Sequence, residues 1–241
     1  MYQILKKTAI LFIAGLLFFQ HVECARKITK KITKKIIKTY LPEHFVVVEA
    51  GACNGSDTAE MAKLWPNSKI HAFEPVPALF AQLKNRVKNH KNVACYTSAL
   101  SNQAGSATFY VSSGTSDASS SLLKPKEHLT VCPTVLFEKE IIVKTIMLDD
   151  WAKQHKIEKV DFLWLDMQGS ELTMLKAAPK ILKTVRVIQM EVSIKELYET
   201  VPLYSEVRKW LEQQGFAVVL ADIDEARGWG DVLFVRKKAY L

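Results

Sequence analysis

The chain has 241 residues, 49% hydrophobic and 24% charged. That is globular composition, and it excludes a mainly disordered, collagen-like or polytopic membrane chain. Its net charge of +8 is uneven: nine basic residues and one acid, Glu23, fall in residues 1–40, leaving 24 of each sign in 41–241. The body is therefore neutral, and the charge gives no ground for a nucleic-acid partner.

Lys6 and Lys7 precede an unbroken apolar run from Ala9 to Phe19. Eleven residues are short for a membrane span and fit the apolar region of a signal peptide. Residues 27–38 then read KITK-KITK-KIIK. On a helix, Ile28, Ile32 and Ile36 share one face at about 0°, 40° and 80°, with the lysines opposite. This is the pattern of an amphipathic basic helix on anionic lipid, and positive charge after an apolar segment favours cytoplasmic retention. A solvated charged linker and a cleaved export signal are the competing readings. The expected division is a signal-like or membrane-anchor segment over 1–24, a basic amphipathic linker or helix over 25–41, and one folded domain over 42–241. An anionic membrane surface is the expected partner of 26–38. The expected location is the cytoplasmic membrane face, with export after cleavage as the alternative.

From Phe45 on, short apolar runs alternate with helical patterns. Strands are expected at 45–50, 69–74 and 93–99, with helices at 56–64 and 76–89 between them. This β-α-β-α-β order marks a parallel, doubly wound sheet. The middle reads as a strand at 108–111, a Ser-rich loop at 112–123 and a strand at 140–147, followed by a short helix from Leu148. Alternation resumes with a strand at 160–166, a helix at 171–182 and a strand at 185–192. A helix at 204–214 ends at Gly215, and strands at 216–221 and 231–236 suggest a final antiparallel hairpin.

The four cysteines, Cys24, Cys53, Cys95 and Cys132, form no C-x-x-C or C-x-x-H pair. Free thiols and no metal site are expected. The histidines likewise show no pairing.

Glu49, Gly51 and Gly55 form E-x-G-x-x-x-G directly after the first strand, and Glu74 closes the second. Glycines permit a tight turn and close ligand approach, while a carboxylate at the second strand end can accept hydrogen bonds from a ribose diol. The competing reading is a plain strand-end turn and an exposed acid. Cys53 stands where a dinucleotide loop needs its second glycine, which argues against a nicotinamide-dependent oxidoreductase. No G-x-x-x-x-G-K-[ST] loop occurs. An acid two residues before the first Gly suits a ligand with an amino-acid end and no phosphate, and S-adenosylmethionine is such a ligand.

The stretches VVVEAGACNGSDT, HAFEPVP, SALSNQAGSATFYV, TIMLDDW, VDFLWLDMQGSELTMLKAA, IQMEVS and GDVLFVRK resemble, in order, the blocks of the FkbM-type S-adenosylmethionine-dependent methyltransferases. The resemblance covers roughly 44–237. It implies a class I methyltransferase (Rossmann-like) fold: a seven-stranded, mostly parallel sheet with an antiparallel final hairpin. It also implies methyl transfer, most often to a hydroxyl of a sugar, glycolipid or secondary metabolite. By the same resemblance Glu49, Gly51 and Gly55 line the methionine end of the cofactor. Glu74 holds the ribose, Pro75 shapes the adenine side, Ser98 and Ala99 flank the adenine, and Asp166 faces the methyl-transfer site as the candidate base. The family block K-x-D-x-E-G-x-E is altered here, with Trp164 for Lys and Gln168 for Glu. A non-catalytic cofactor-binding module is therefore the alternative reading. For Asp166 the competing reading is a cap on the following helix or a residue that only orients the cofactor, and Glu191 is another candidate base whose competing reading is a solvent-facing strand-end charge.

Overall fold

The computed structural model describes residues 31–237. The apolar run at 9–19, Ile28 and residues 238–241 lie outside the described residues.

A seven-stranded sheet runs through the domain. Its strands are β1 (Val46–Ala50), β2 (Lys69–Phe73), β3 (Val93–Tyr96), β7 (Phe162–Leu165), β8 (Val187–Ser193), β9 (Phe216–Asp224) and β10 (Trp229–Arg236). Their order is β3-β2-β1-β7-β8-β10-β9. All pairs are parallel except those of β10, which runs antiparallel between β8 and β9. This order, with the last strand inserted antiparallel, is the class I methyltransferase sheet.

Alternation along each strand divides two cores. Val48, Leu163, Leu165, Ile188, Met190, Val232 and Phe234 face one side. There they meet helices α5 (Leu148–Gln154), α6 (Glu171–Lys176), α7 (Pro179–Leu182) and α8 (Tyr204–Gln213). Val47, Phe162, Val187, Leu233 and Val235 face the other side, against Met61, Ala62 and Trp65 at the end of helix α2 (Ser56–Leu64). Helix α3 (Pro77–Val87) packs beside α2.

A second sheet has the order β4-β6-β5, with β4 (Ala99–Leu100), β5 (Gly105–Gly114) and β6 (Val135–Ile146). Three sequence expectations change here. The strand expected at 93–99 ends at Tyr96, because Ala99 and Leu100 leave to pair with Thr145 and Ile146. The loop expected from Ser112 begins later, since β5 pairs with β6 out to Gly114. The helix expected over 171–182 breaks before Pro179, whose missing N–H ends α6 and starts α7. Helix α4 (His128–Val131) lies in the connection between β5 and β6.

The basic segment also differs from its expectation. Among its described residues, 31–41, only Lys34–Lys38 forms a helix, α1, capped by the Thr33 hydroxyl, which accepts from the Ile36 N–H at 3.3 Å. Ile37 is fully buried, and Ile32 and Ile36 pack against the α2-side core. Two of the three isoleucines expected to meet lipid, Ile32 and Ile36, here pack against protein. Lys34 reaches Glu60 at 2.7 Å and Asp57 at 2.5 Å, and its ammonium lies 4.7 Å from the centre of the Trp164 ring. A linker would leave these contacts unmade. Ile37→Ala should therefore cost about 2–4 kcal/mol of stability, measured by urea unfolding. A solvated linker would lose almost nothing.

Candidate active site

The site forms at the carboxyl ends of the parallel strands, where chain crossovers leave a crevice. After β1, Gly51 adopts φ +86°. A Cβ there would lie 1.7 Å from the Asp166 carbonyl oxygen, so only glycine lets the end of β7 approach. The Asp166 N–H closes the seam by donating to the Ala50 carbonyl at 2.9 Å. The sequence reading reserved this space for a ligand; the protein's own backbone fills it. Gly55 (φ +81°) serves packing, since a Cβ would fall 2.7 Å from the Leu83 side chain of α3.

An open cavity of about 510 Å³ lies beside this seam. Gly51, Glu74, Pro75, Ser98, Ala99 and Asp166 all line it. Phe109 and Leu122, with the 117–120 loop, cover it from the second sheet's side. The structure thus brings together six of the eight residues picked from the sequence. Gly55 and Glu49 are not in the lining. Glu49 points to the α2 side of the sheet, where the Thr58 hydroxyl donates to it at 2.6 Å.

Glu74 is held at both oxygens: the Cys53 N–H and the Val76 N–H each donate at 2.8 Å. Cys53 reaches this bond with φ +49°, a strained conformation for a non-glycine residue. Burial pushes the Glu74 carboxyl up to about 7. Asp117, which sequence reasoning missed inside a Ser-rich loop, lines the same cavity. Among the described residues no Lys, Arg or His does so.

Asp166 does not cap the following helix. That turn belongs to Glu171, whose carboxylate accepts from the N–H groups of Met167 at 2.7 Å and Gly169 at 3.0 Å. Asp166 instead accepts from the Gln168 amide at 2.7 Å. Burial, opposed by that bond and aided by Asp231 and Asp57, pushes Asp166 up to about 6. Glu191, expected to face solvent, accepts from the same amide at 2.7 Å. Burial and the neighbouring carboxylates raise it well above its ordinary value. Trp164 lies on the α2 side beneath Lys34, away from the cavity. Trp229 packs near Tyr198 and Val201, with its ring 6.5 Å from that of His128. Among the described residues no group of three or more His, Cys, Asp and Glu is arranged to hold a metal ion.

The fold and the crevice carboxylates define a class I methyltransferase domain. The sequence model of the methyltransferase FkbM domain matches residues 49–218. The chain belongs to that family. It is 32% identical over 159 residues to the 2-O-methyltransferase NoeI of Sinorhizobium fredii, covering 64% of this chain. The chain covers 65% of that relative's length, less than two thirds. It is also 24% identical over 196 residues to Methyltransferase 1 of Beauveria bassiana, across 77% of each. Among solved structures, magnesium protoporphyrin IX methyltransferase from Synechocystis matches with a TM-score of 0.48 and 13% identity, over 84% of this chain and 74% of that one.

Glu49, on the α2 side of the sheet, gives the fold a pH signature. Its folded value is pushed up to about 8, chiefly by burial, from an ordinary 4.5. Between those values the folded chain keeps a proton that the unfolded chain has released. Its contribution to stability is full below about 4.5 and is lost as pH rises towards 8. Glu49→Gln keeps a partner for Thr58 and removes this titration. Urea unfolding between pH 5 and 8.5 should show a smaller loss of stability in the variant than in the wild type.

Proposed function

We propose that this protein is an S-adenosylmethionine-dependent O-methyltransferase acting on a hydroxyl of a small molecule, of the sugar, glycolipid or secondary-metabolite kind. The observation that carries the cofactor is the charge of the cavity. Glu74, Asp117 and Asp166 line it, with no cationic side chain among the described residues. Such a lining suits a ligand with a sulfonium and an ammonium group, and repels the phosphates of a dinucleotide. Family membership and the similarity to a 2-O-methyltransferase support the hydroxyl acceptor.

In this reading Glu74 accepts from the ribose hydroxyls. Its two backbone donors hold the carboxylate in place for this. The turn at Gly51 faces the methionine end, and Pro75, Ser98 and Ala99 flank the adenine. Glu49 supports the turn from beneath. When bound, the cofactor supplies an activated methyl on a cationic sulfur. The chain's part is to align the acceptor oxygen, exclude water and take up the hydroxyl proton, which Asp166 does. A carboxyl near 6 is largely ionised at pH 7 while remaining basic enough to hold a proton.

Glu74→Gln should weaken S-adenosylmethionine binding about 10–100-fold, since hydrogen bonds to a charged acceptor are worth about 1.5–3 kcal/mol. Calorimetry checks this, and unchanged affinity would remove the ribose assignment. The acceptor is sought by mass spectrometry of host glycans, lipids and small metabolites with and without the protein, as a 14-Da increment. An inactive Asp166→Asn variant is the control.

The same reading keeps the domain on the cytoplasmic side of a membrane, where S-adenosylmethionine is made. Among the described residues no helix is long and apolar enough to cross a membrane. Lys31 and Lys35 are exposed and available to an anionic surface. The full chain should co-sediment with anionic vesicles, less so with Lys31→Glu and Lys35→Glu combined. Equal sedimentation with neutral vesicles would remove the electrostatic part of this reading.

A further inference from the structure

Gln168 occupies a position with more constraints than a turn residue needs. Its backbone sits at φ +55°, in the left-handed region that strains a non-glycine residue. Its carbonyl accepts from the Ser121 hydroxyl at 2.8 Å, which ties it to the loop above the cavity. The side-chain amide has two N–H groups and uses both, one on Asp166 from β7 and one on Glu191 from β8, each at 2.7 Å. Its oxygen lies 2.8 Å from the Tyr198 hydroxyl, which donates to it or to the Ser119 carbonyl, also at 2.8 Å. The amide orientation follows from these partners, because turning it over would set an oxygen against two carboxylates.

Two partly buried carboxyl groups on neighbouring strand ends repel each other, and their partial removal from water favours the protonated forms. Other acids face the pair from every side: Asp57 from α2, Glu171 from α6 and Asp231 from β10. Tyr198 covers it as a neutral phenol, its ionisation raised by burial and by the same acids. Gln168 places the only side-chain N–H donors among the described contacts onto these two groups. Hydrogen bonds to the charged form favour that form. A glutamate at 168 would put a third carboxyl into the same space.

We propose that Gln168 is a positioning residue for methyl transfer: its amide orients Asp166 into the cavity and keeps it ionised by sharing its two protons between Asp166 and Glu191. This rests on the methyltransferase reading above. The proton leaving the acceptor oxygen then has an oriented carboxylate to receive it, and Gln168 itself is not part of the cavity lining. The substitution that departs from the family block is thus a working part of the site.

The test compares S-adenosylmethionine with S-adenosylhomocysteine, which lacks the methyl and is neutral at sulfur but carries the same ribose and adenine. Glu74 affects both alike, so the ratio of their dissociation constants reports charge near the methyl position. In the wild type the preference for S-adenosylmethionine should grow as pH rises through the titration of Asp166. Gln168→Met keeps the length and removes the amide. At pH 7 it should lose about tenfold in affinity for S-adenosylmethionine, as the ionised fraction of Asp166 falls from about nine-tenths to about one-tenth. S-adenosylhomocysteine should stay within about threefold, and the onset of preference should move to higher pH. Tyr198→Phe, which frees the amide's orientation, should shift the ratio the same way by less, and serves if Gln168→Met does not fold. Equal losses for both ligands would reduce Gln168 to a structural role and overturn the proposal, as would an unchanged ratio and pH profile. A wild type that binds neither ligand would instead overturn the methyltransferase reading itself.

Discussion

The contact between Gly51 and the Asp166 carbonyl is the constraint on which the site depends. It sets the end of β7 against the turn after β1, with no side chain between them. The Ala50 carbonyl and Asp166 N–H join the two ends, and the Gly51 and Ala52 N–H groups both donate to the Phe73 carbonyl of β2. Three strand ends are therefore fixed to one another by backbone alone. Glu74 and Asp166 inherit their positions from that arrangement, and their side chains do not have to create it. Any Cβ at 51 would separate β7 from β1 and move Asp166 away from the cavity, so the glycine acts on chemistry through the fold.

Burial without cations is the second theme. Glu49, Glu74, Asp166, Glu171 and Glu191 crowd the strand ends and are all raised above their ordinary values, chiefly by burial. Neutral donors answer them: a Thr hydroxyl, backbone N–H groups and one amide. Among the described residues this leaves the carboxyls of the cavity lining without a cationic partner. A guanidinium or ammonium group in the cavity would stabilise the acids more strongly, and would also cancel the attraction for a cationic ligand. Lys34, whose charge acts on Glu49, is held on the far side of the sheet from the cavity, with Asp57, Glu60 and Trp164.

Much of this was legible in the chain. Buried strands of β-branched residues, each followed by a helical pattern, gave the doubly wound sheet, and Gly215 marked the end of α8. Glu74 and Gly51 were found because strand-end chemistry leaves a local trace. What was hidden depended on contacts distant in sequence. Gln168 looked like a lost charge until Glu191, 23 residues on, appeared beside it. Asp117 sat in a loop with no periodicity to place it. The isoleucines of the basic segment suit lipid and a protein groove equally well. Only the positions of Met61, Trp65 and Phe162 show that the groove takes Ile37.

That docking of α1 has a practical side. Ile37 has no exposed surface, and Leu41 and Phe45 continue the same apolar row into the body. A chain cut at residue 42, where charge patterning suggests the domain starts, would uncover a hydrophobic trough along α2 and the sheet. Trough surfaces of that kind promote self-association. The natural seam for trimming this protein therefore lies upstream of Lys31, and shorter fragments would be prone to precipitate for reasons unrelated to catalysis.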